Sequence, residues 1–172
     1  RPTQTAPSAG ETTHYLVKHR SNDSDYTLGV QRKLRTSAME FKGDACVVIP
    51  DQVQLNFEGA ITIEAWVKPA AITDGQHSIV TRAFSETLAG RFEVFLRISQ
   101  TNGVSTYEVG SLTASVTHAT TWPIPADQLQ AWTHLAGVYD GKNWTLYCNG
   151  QQPVTTVQPL PPLGGNANWA IG

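Results

Sequence analysis

Hydrophobic and polar residues alternate with a period of two along much of this chain. The clearest run covers residues 61–69, ITIEAWVKP. One face of this run carries the apolar side chains, and the other carries Thr62, Glu64, Trp66 and Lys68. A period of two is that of a β-strand, so the pattern predicts a strand with one face in a hydrophobic core.

Turn signals predict an antiparallel meander in the late part of the chain. Two alternating runs, residues 132–139 and 142–148, are joined through Asp140-Gly141, and the second ends at Asn149-Gly150. Asp-Gly and Asn-Gly accept positive φ at low steric cost in tight hairpins. We therefore predict two strands joined by a hairpin and followed by a third strand at residues 154–157.

Further alternating runs predict a fold built from strands. Strands are predicted at residues 39–41, 46–49, 78–84, 91–98 and 105–112, and short strands or surface straps at residues 15–17 and 26–30. Residues 120–130 contain two prolines and are predicted to form a loop. Because no stretch has helical periodicity, the predicted fold class is all-β, an antiparallel two-sheet β-sandwich of jelly-roll type.

The composition indicates one globular domain preceded by an extension. Residues 1–13 are rich in Thr, Pro, Ser and Gly, which is typical of a flexible linker. We predict an extension at residues 1–37, either a plain linker or one with a strap strand, and the sandwich at residues 38–172. The chain begins at Arg1 rather than Met, so we expect a processed or excised piece of a longer protein.

Charge and hydropathy argue against two classes of partner. Residues 1–36 hold six Lys and Arg against three Asp and Glu, whereas the remainder holds six against eleven. An acidic sandwich argues against nucleic acid, and no apolar run reaches the roughly 18 residues that span a membrane. The two cysteines, Cys46 and Cys148, are either buried thiols or one disulfide.

Two parts of the chain resemble a known family. Residues 38–50 with 60–69, and residues 132–150, resemble the early and late segments of laminin-G-like domains in the concanavalin A-like lectin/glucanase superfamily. The resemblance covers residues 38–172. It implies a further strand, beyond residue 172, beside the strand at Met39. We therefore expect either a fragment or a gap filled by the stretch around Tyr15 or Tyr26.

The residues favour recognition over catalysis. Glycosidases of this superfamily carry carboxylates two and four positions apart on one strand, because acid and nucleophile must flank one bond at about 5 Å. Glu64 instead has Thr62 and Trp66 as its same-face neighbours, and the five histidines show no metal-ligand spacing. We predict that the protein is not an enzyme, and a degenerate or unusual hydrolase or lyase ranks third among the functions.

A candidate sugar site lies on the polar face of residues 61–69. The resemblance implies that this strand neighbours residues 133–138, which brings Trp66, Glu64 and His134 onto one sheet face. An aromatic ring stacks on a pyranose while a carboxylate and an imidazole bind its hydroxyls.

Trp122, in the predicted loop, is the fourth predicted ligand-binding residue. The alternative is that this face is structural. The loop then covers Trp66 through Trp122, and Glu64 pairs with Lys68 or Arg82.

The resemblance also implies a structural calcium ion. Related domains hold Ca²⁺ through carboxylates and backbone carbonyls, the hard oxygen ligands that suit this ion. Asp44 matches the acidic turn after the first strand, and Asp140 is the second candidate. Turn chemistry alone explains both Asp residues without a metal.

The leading functional prediction is a non-catalytic, lectin-like binding module. Its expected partner is a glycan or glycoprotein, and its expected setting is a larger adhesive protein that is extracellular or on the cell surface. The alternative is a structural or protein-interaction module without a sugar site, which positions neighbouring domains of an enzyme, adhesin or toxin. Neither nucleic acid nor membrane insertion is expected.

Overall fold

The structure is a computed structural model that describes most of the chain. The described residues are 16–21, 24–29, 38–43, 45–57, 59–82, 92–113, 116–157 and 167–172, with backbone alone in the first two segments. The chain divides into two compact units, residues 1–40 and 41–172.

The described segments contain strands and short 3₁₀ turns. The strands are β1 (Leu16–Ser21), β2 (Ser24–Gly29), β3 (Val47–Ile49), β4 (Ile61–Val67), β5 (Gly75–Arg82), β6 (Phe92–Thr101), β7 (Val104–Thr113), β8 (Val116–Pro123), β9 (Thr133–Tyr139), β10 (Asn143–Cys148), β11 (Val154–Val157) and β12 (Trp169–Ile171). The 3₁₀ turns are Val53–Leu55 and Ala126–Gln128. In this described part, no helix is long and apolar enough to cross a membrane.

The second unit is a sandwich of two antiparallel sheets. One sheet has four strands in the order β11-β10-β9-β4, and the other has six in the order β3-β12-β5-β6-β7-β8. The hydrophobic core draws buried residues from both sheets. The predicted all-β, two-sheet fold is confirmed, including the meander of β9, β10 and β11.

Alternation decides which residues enter the core. Every second residue of β9 is buried, from Thr133 to Tyr139. Gly137 belongs to this series, and a Cβ there would overlap the side chain of Val109 in β7, so the two sheets approach closely at this point. Trp144 of β10 is fully buried. The intervening residues of β9 therefore face outward, away from the opposite sheet.

Two predicted elements are wrong. Residues 38–43 form no strand, because an alternating sequence becomes a strand only where a partner offers a hydrogen-bonding ladder. Residues 116–123, which overlap the predicted loop, form β8 and pair with β7. Pro123 is compatible with β8 because it is the last residue of an edge strand.

The stretches near Tyr15 and Tyr26 form one hairpin. β1 and β2 pair with each other in antiparallel register, from Leu16 opposite Gly29 to Ser21 opposite Ser24. The pairing described for them is with each other, and the expectation that one of them fills a gap in the sandwich stays a prediction. Tyr15 itself lies outside the described residues.

The two cysteines are free thiols in different surroundings. Cys46 is exposed and Cys148 is buried. Burial raises the pKa of the Cys148 thiol, because an apolar environment disfavours the thiolate. The buried-thiol prediction therefore holds for Cys148 only, and the disulfide alternative is wrong.

Candidate functional site

β4 and β9 bring three of the predicted site residues together. In their antiparallel register, Trp66 is opposite His134 and Glu64 is opposite Ala136. The alternation of burial along both strands turns these four side chains away from the core. We call this outward side of the four-stranded sheet, around Trp66, Glu64 and His134, the Trp66 face.

The three predicted side chains form one cluster. The ring centroids of Trp66 and His134 lie 5.1 Å apart, with the planes tilted by 47°, a geometry typical of favourable aromatic pairs. Glu64 Oε2 lies 3.7 Å from His134 Nε2, and the side chains are 68% and 22% exposed, respectively. Because Glu64 is mostly exposed, water screens the attraction between its carboxylate and the imidazole. The carboxylate is also accessible to a ligand.

Asn149 holds the end of β9 from which His134 projects. The backbone N–H of His134 donates to Asn149 Oδ1 at 2.8 Å, and the backbone N–H of Asn149 donates to the His134 carbonyl at 2.8 Å. The reversal requires a φ of 51° at Asn149, in the left-handed region that Asn tolerates better than most residues. The predicted Asn-Gly turn thus positions the imidazole.

β10 adds a residue to the Trp66 face that the predicted site lacks. Tyr147 is opposite Ala136 in the β9–β10 ladder and is 37% exposed. The signal in the sequence is its alternation with the buried residues Leu146 and Cys148. Its position two strands away from Glu64 follows only from the combined registers of β4, β9 and β10.

The other predicted neighbours of Trp66 lie elsewhere. Trp122 belongs to β8 of the six-stranded sheet and packs against the core, so the structure does not bring it to the Trp66 face. Arg82 donates from Nη2 to Asn56 Oδ1 at 2.6 Å. The described partner of Glu64 is therefore His134 and not Arg82.

Comparison with known families agrees with this architecture. Residues 41–172 match a laminin-G family model described as Concanavalin A-like lectin/glucanases superfamily. The chain belongs to this family. The match confirms the resemblance found in the sequence and covers the whole sandwich. A comparison with curated proteins gives no match.

The spacing of carboxylates matters because this superfamily includes glucanases as well as lectins. On the outward side of the six-stranded sheet, Glu93 is opposite Leu112 and Glu108 is opposite Arg97. These register positions are four residues apart, which separates the two glutamate Cα atoms by about 14 Å. The Glu108 carboxylate is ion-paired with Arg97, whose Nε lies 2.8 Å from its Oε2.

Asp140, one of the two candidates for the calcium ion that the resemblance implies, is hydrogen-bonded within its own turn. Asp140 Oδ1 accepts hydrogen bonds from the backbone N–H groups of Asn143 at 2.7 Å and Lys142 at 2.8 Å, which lower the pKa of this carboxyl. Among the described residues, no group of three or more His, Cys, Asp or Glu is placed to hold a metal. Asp44, the other candidate, lies outside the described residues. Turn chemistry accounts for Asp140.

Proposed function

We propose that this chain is a non-catalytic, lectin-like module that binds glycan. The observation that carries the proposal is the cluster of Trp66, His134 and Glu64 on an outward sheet face, with most of the carboxylate exposed. The module would work as part of a larger adhesive protein that is secreted or displayed on a cell surface, where glycans and glycoproteins are accessible partners.

The chemistry of the cluster suits a sugar. The indole ring of Trp66 offers a flat apolar surface for the C–H face of a pyranose. The carboxylate of Glu64 accepts hydrogen bonds from hydroxyls, and a neutral His134 offers one donor and one acceptor. Hydrogen bonds to a carboxylate are roughly twice as strong as neutral ones. An apolar platform beside a few polar groups is typical of small-ligand sites.

The surroundings of Glu64 support binding without turnover. Among the described strands of the four-stranded sheet, Glu64 is the one carboxylate. Glycoside hydrolysis in this superfamily needs a second carboxyl group as nucleophile or base, whereas the group next to Glu64 is an imidazole. An imidazole and a carboxylate on one sheet face can each form hydrogen bonds with sugar hydroxyls.

Calorimetric titration of the full chain with a panel of neutral, acidic and amino glycans tests the proposal. The panel is run in calcium and in EDTA, which also tests for the structural ion. We expect at least one glycan to bind, and Trp66→Ala to weaken that binding at least tenfold with little change in Tm. Val157→Ala is the matched control, because Val157 is 77% exposed on an edge strand of the same sheet.

Two results would contradict the proposal. If no glycan binds in either buffer, the lectin function fails. If Trp66→Ala lowers the Tm as much as a core substitution, the ring is structural and the Trp66 face is not a platform.

A protein-interaction module is the second candidate function. The observation that favours it is the exposure of three apolar side chains in residues 48–55, namely Val48, Val53 and Leu55. Patches of exposed apolar side chains are typical of contacts with other proteins, and these three residues lie close together in the sequence. In that case Val48→Asp would weaken association with neighbouring domains of the parent protein in pull-down experiments, and the glycan panel would give no signal.

A further inference from the structure

A row of three outward-facing residues adjoins Trp66 on the four-stranded sheet. Glu64, Ala136 and Tyr147 stand side by side on β4, β9 and β10 in the two ladders. Neighbouring strands lie about 4.8 Å apart, so the Cα atoms of Glu64 and Tyr147 are about 10 Å apart. The residue between them is Ala136, whose methyl group rises little above the sheet. The row is therefore lowest at Ala136, which we call its floor, between the longer side chains of Glu64 and Tyr147.

The Trp66–His134 pair borders this floor on a third side. The pair lies two residues along the strands from the row of Glu64, Ala136 and Tyr147, a step of about 6.7 Å. The diagonal from Trp66 to Tyr147, between Cα atoms, is then about 12 Å. Two aromatic residues thus lie at the two ends of a diagonal that is longer than a single pyranose.

Resting on the sugar site proposed above, we propose that the ligand is a neutral oligosaccharide of at least two units that crosses the sheet from Trp66 to Tyr147. The first unit stacks on Trp66 beside His134. The next unit lies over Ala136, where Glu64 accepts hydrogen bonds from its hydroxyls and the ring of Tyr147 forms the far wall. Tyr147 is therefore a specificity-determining residue that distinguishes oligosaccharides from single sugars.

The negative charge of Glu64, beside Ala136, favours neutral sugar units over acidic ones. The carboxylate of Glu64 is the charged group next to Ala136, whereas the exposed Lys68 lies beyond Trp66, after the end of β4. A uronate or sulfate placed over Ala136 would meet a like charge. Hydroxyl groups, in contrast, donate to the carboxylate.

Titration of the full chain with oligomers of increasing length tests the inference. The probes are oligomers of one to four units of glucose, galactose, mannose and N-acetylglucosamine, and of galacturonate as the acidic series. For the neutral series that binds, we expect the affinity to rise at least tenfold from one to three units. Tyr147→Ala should remove most of this gain and change the affinity for the single sugar less than twofold.

A second variant and a control make the test specific. Ala136→Leu fills the floor and should weaken the trisaccharide more than the single sugar, whereas Val157→Ala should change neither. If the wild type binds the trisaccharide and Tyr147→Ala binds it equally well, the inference is overturned. The proposed function still holds in that case. Tighter binding of galacturonate oligomers also overturns the inference. Absence of binding by the wild type overturns the proposed function itself.

Discussion

Each of the two larger sheets turns one face away from the core, and each of these faces carries a carboxylate near an aromatic ring. On the four-stranded sheet, Glu64 is 68% exposed and lies 3.7 Å from His134. On the six-stranded sheet, Glu108 is 14% exposed and accepts a hydrogen bond from Arg97 Nε at 2.8 Å. Arg97 also donates to Gln76 and lies over the ring of Phe95.

The two carboxylates differ in strand position as well as in burial. β6 and β7 are ten-residue strands with a neighbour on each side, whereas β4 is the last strand of its sheet. Burial of Glu108 makes an unpaired carboxylate costly, so the charge is matched by Arg97 within the protein. Glu64 is solvated, so it can remain weakly paired and available to a ligand. The same alternating pattern thus occurs on two different outward faces. We call the face with the buried Glu108–Arg97 pair the closed face, and the Trp66 face the open face.

The largest expected difference between the faces concerns their aromatic rings. Phe95 is fully buried beneath Arg97, so Phe95→Ala should lower the free energy of unfolding by about 3–5 kcal/mol. Trp66 is only partly buried, and we expect Trp66→Ala to cost about 1 kcal/mol or less. Urea unfolding followed by circular dichroism measures both. Equal losses would show that the Trp66 face is as tightly packed as the other.

A smaller effect is expected from the charged pair on the closed face. Arg97→Met removes the partner of a mostly buried Glu108 and should cost about 2–3 kcal/mol. The double variant Arg97→Met with Glu108→Leu should recover much of that loss, because no buried charge remains. Urea unfolding of the four proteins gives the coupling energy. If Glu108→Leu adds its own full loss to that of Arg97→Met, the pair is not coupled.

The alternation of residue types predicts most of the sandwich, because burial on one face of a strand imposes a period of two. β4, β9 and β10 follow from it, as do the reversals at Gly141 and Asn149, whose φ angles are positive. β8 was not predicted, since prolines are read as strand breakers and an edge strand accepts one at its end. Whether residues 39–41 pair depends on a partner strand, which their own sequence does not contain.

The candidate site was predictable to the extent that it lies within neighbouring strands. Trp66, Glu64 and His134 alternate with core residues, and the resemblance supplied the adjacency of their strands. The contribution of Tyr147 depends on register across three strands, and one step of slippage would turn its side chain into the core. The closed face was harder to predict, because Arg97 and Glu108 look like solvated residues until the burial of their strands is known.

The smallest expected effect concerns the turn that sets the register of the open face. Asp140 Oδ1 accepts hydrogen bonds from the N–H groups of Asn143 and Lys142, and these bonds lower the pKa of the carboxyl in the folded protein. A carboxyl with a lowered folded pKa stabilises the protein above its unfolded pKa of about 3.9, and this contribution is lost as the pH falls through the folded value. Asp140→Ala should therefore lower the Tm slightly at pH 7.

Thermal scans of wild type and Asp140→Ala between pH 7 and pH 2 measure that dependence. The difference in Tm should shrink as the pH falls below about 4, since the protonated carboxyl of the wild type then loses most of its advantage. Asp140→Asn keeps a side-chain acceptor and should lose less at pH 7 than Asp140→Ala. A difference that stays constant with pH would mean that the turn needs the side-chain acceptor of Asp140 but not its charge, and no difference at any pH would mean that Gly141 sets the turn between β9 and β10 without help from Asp140.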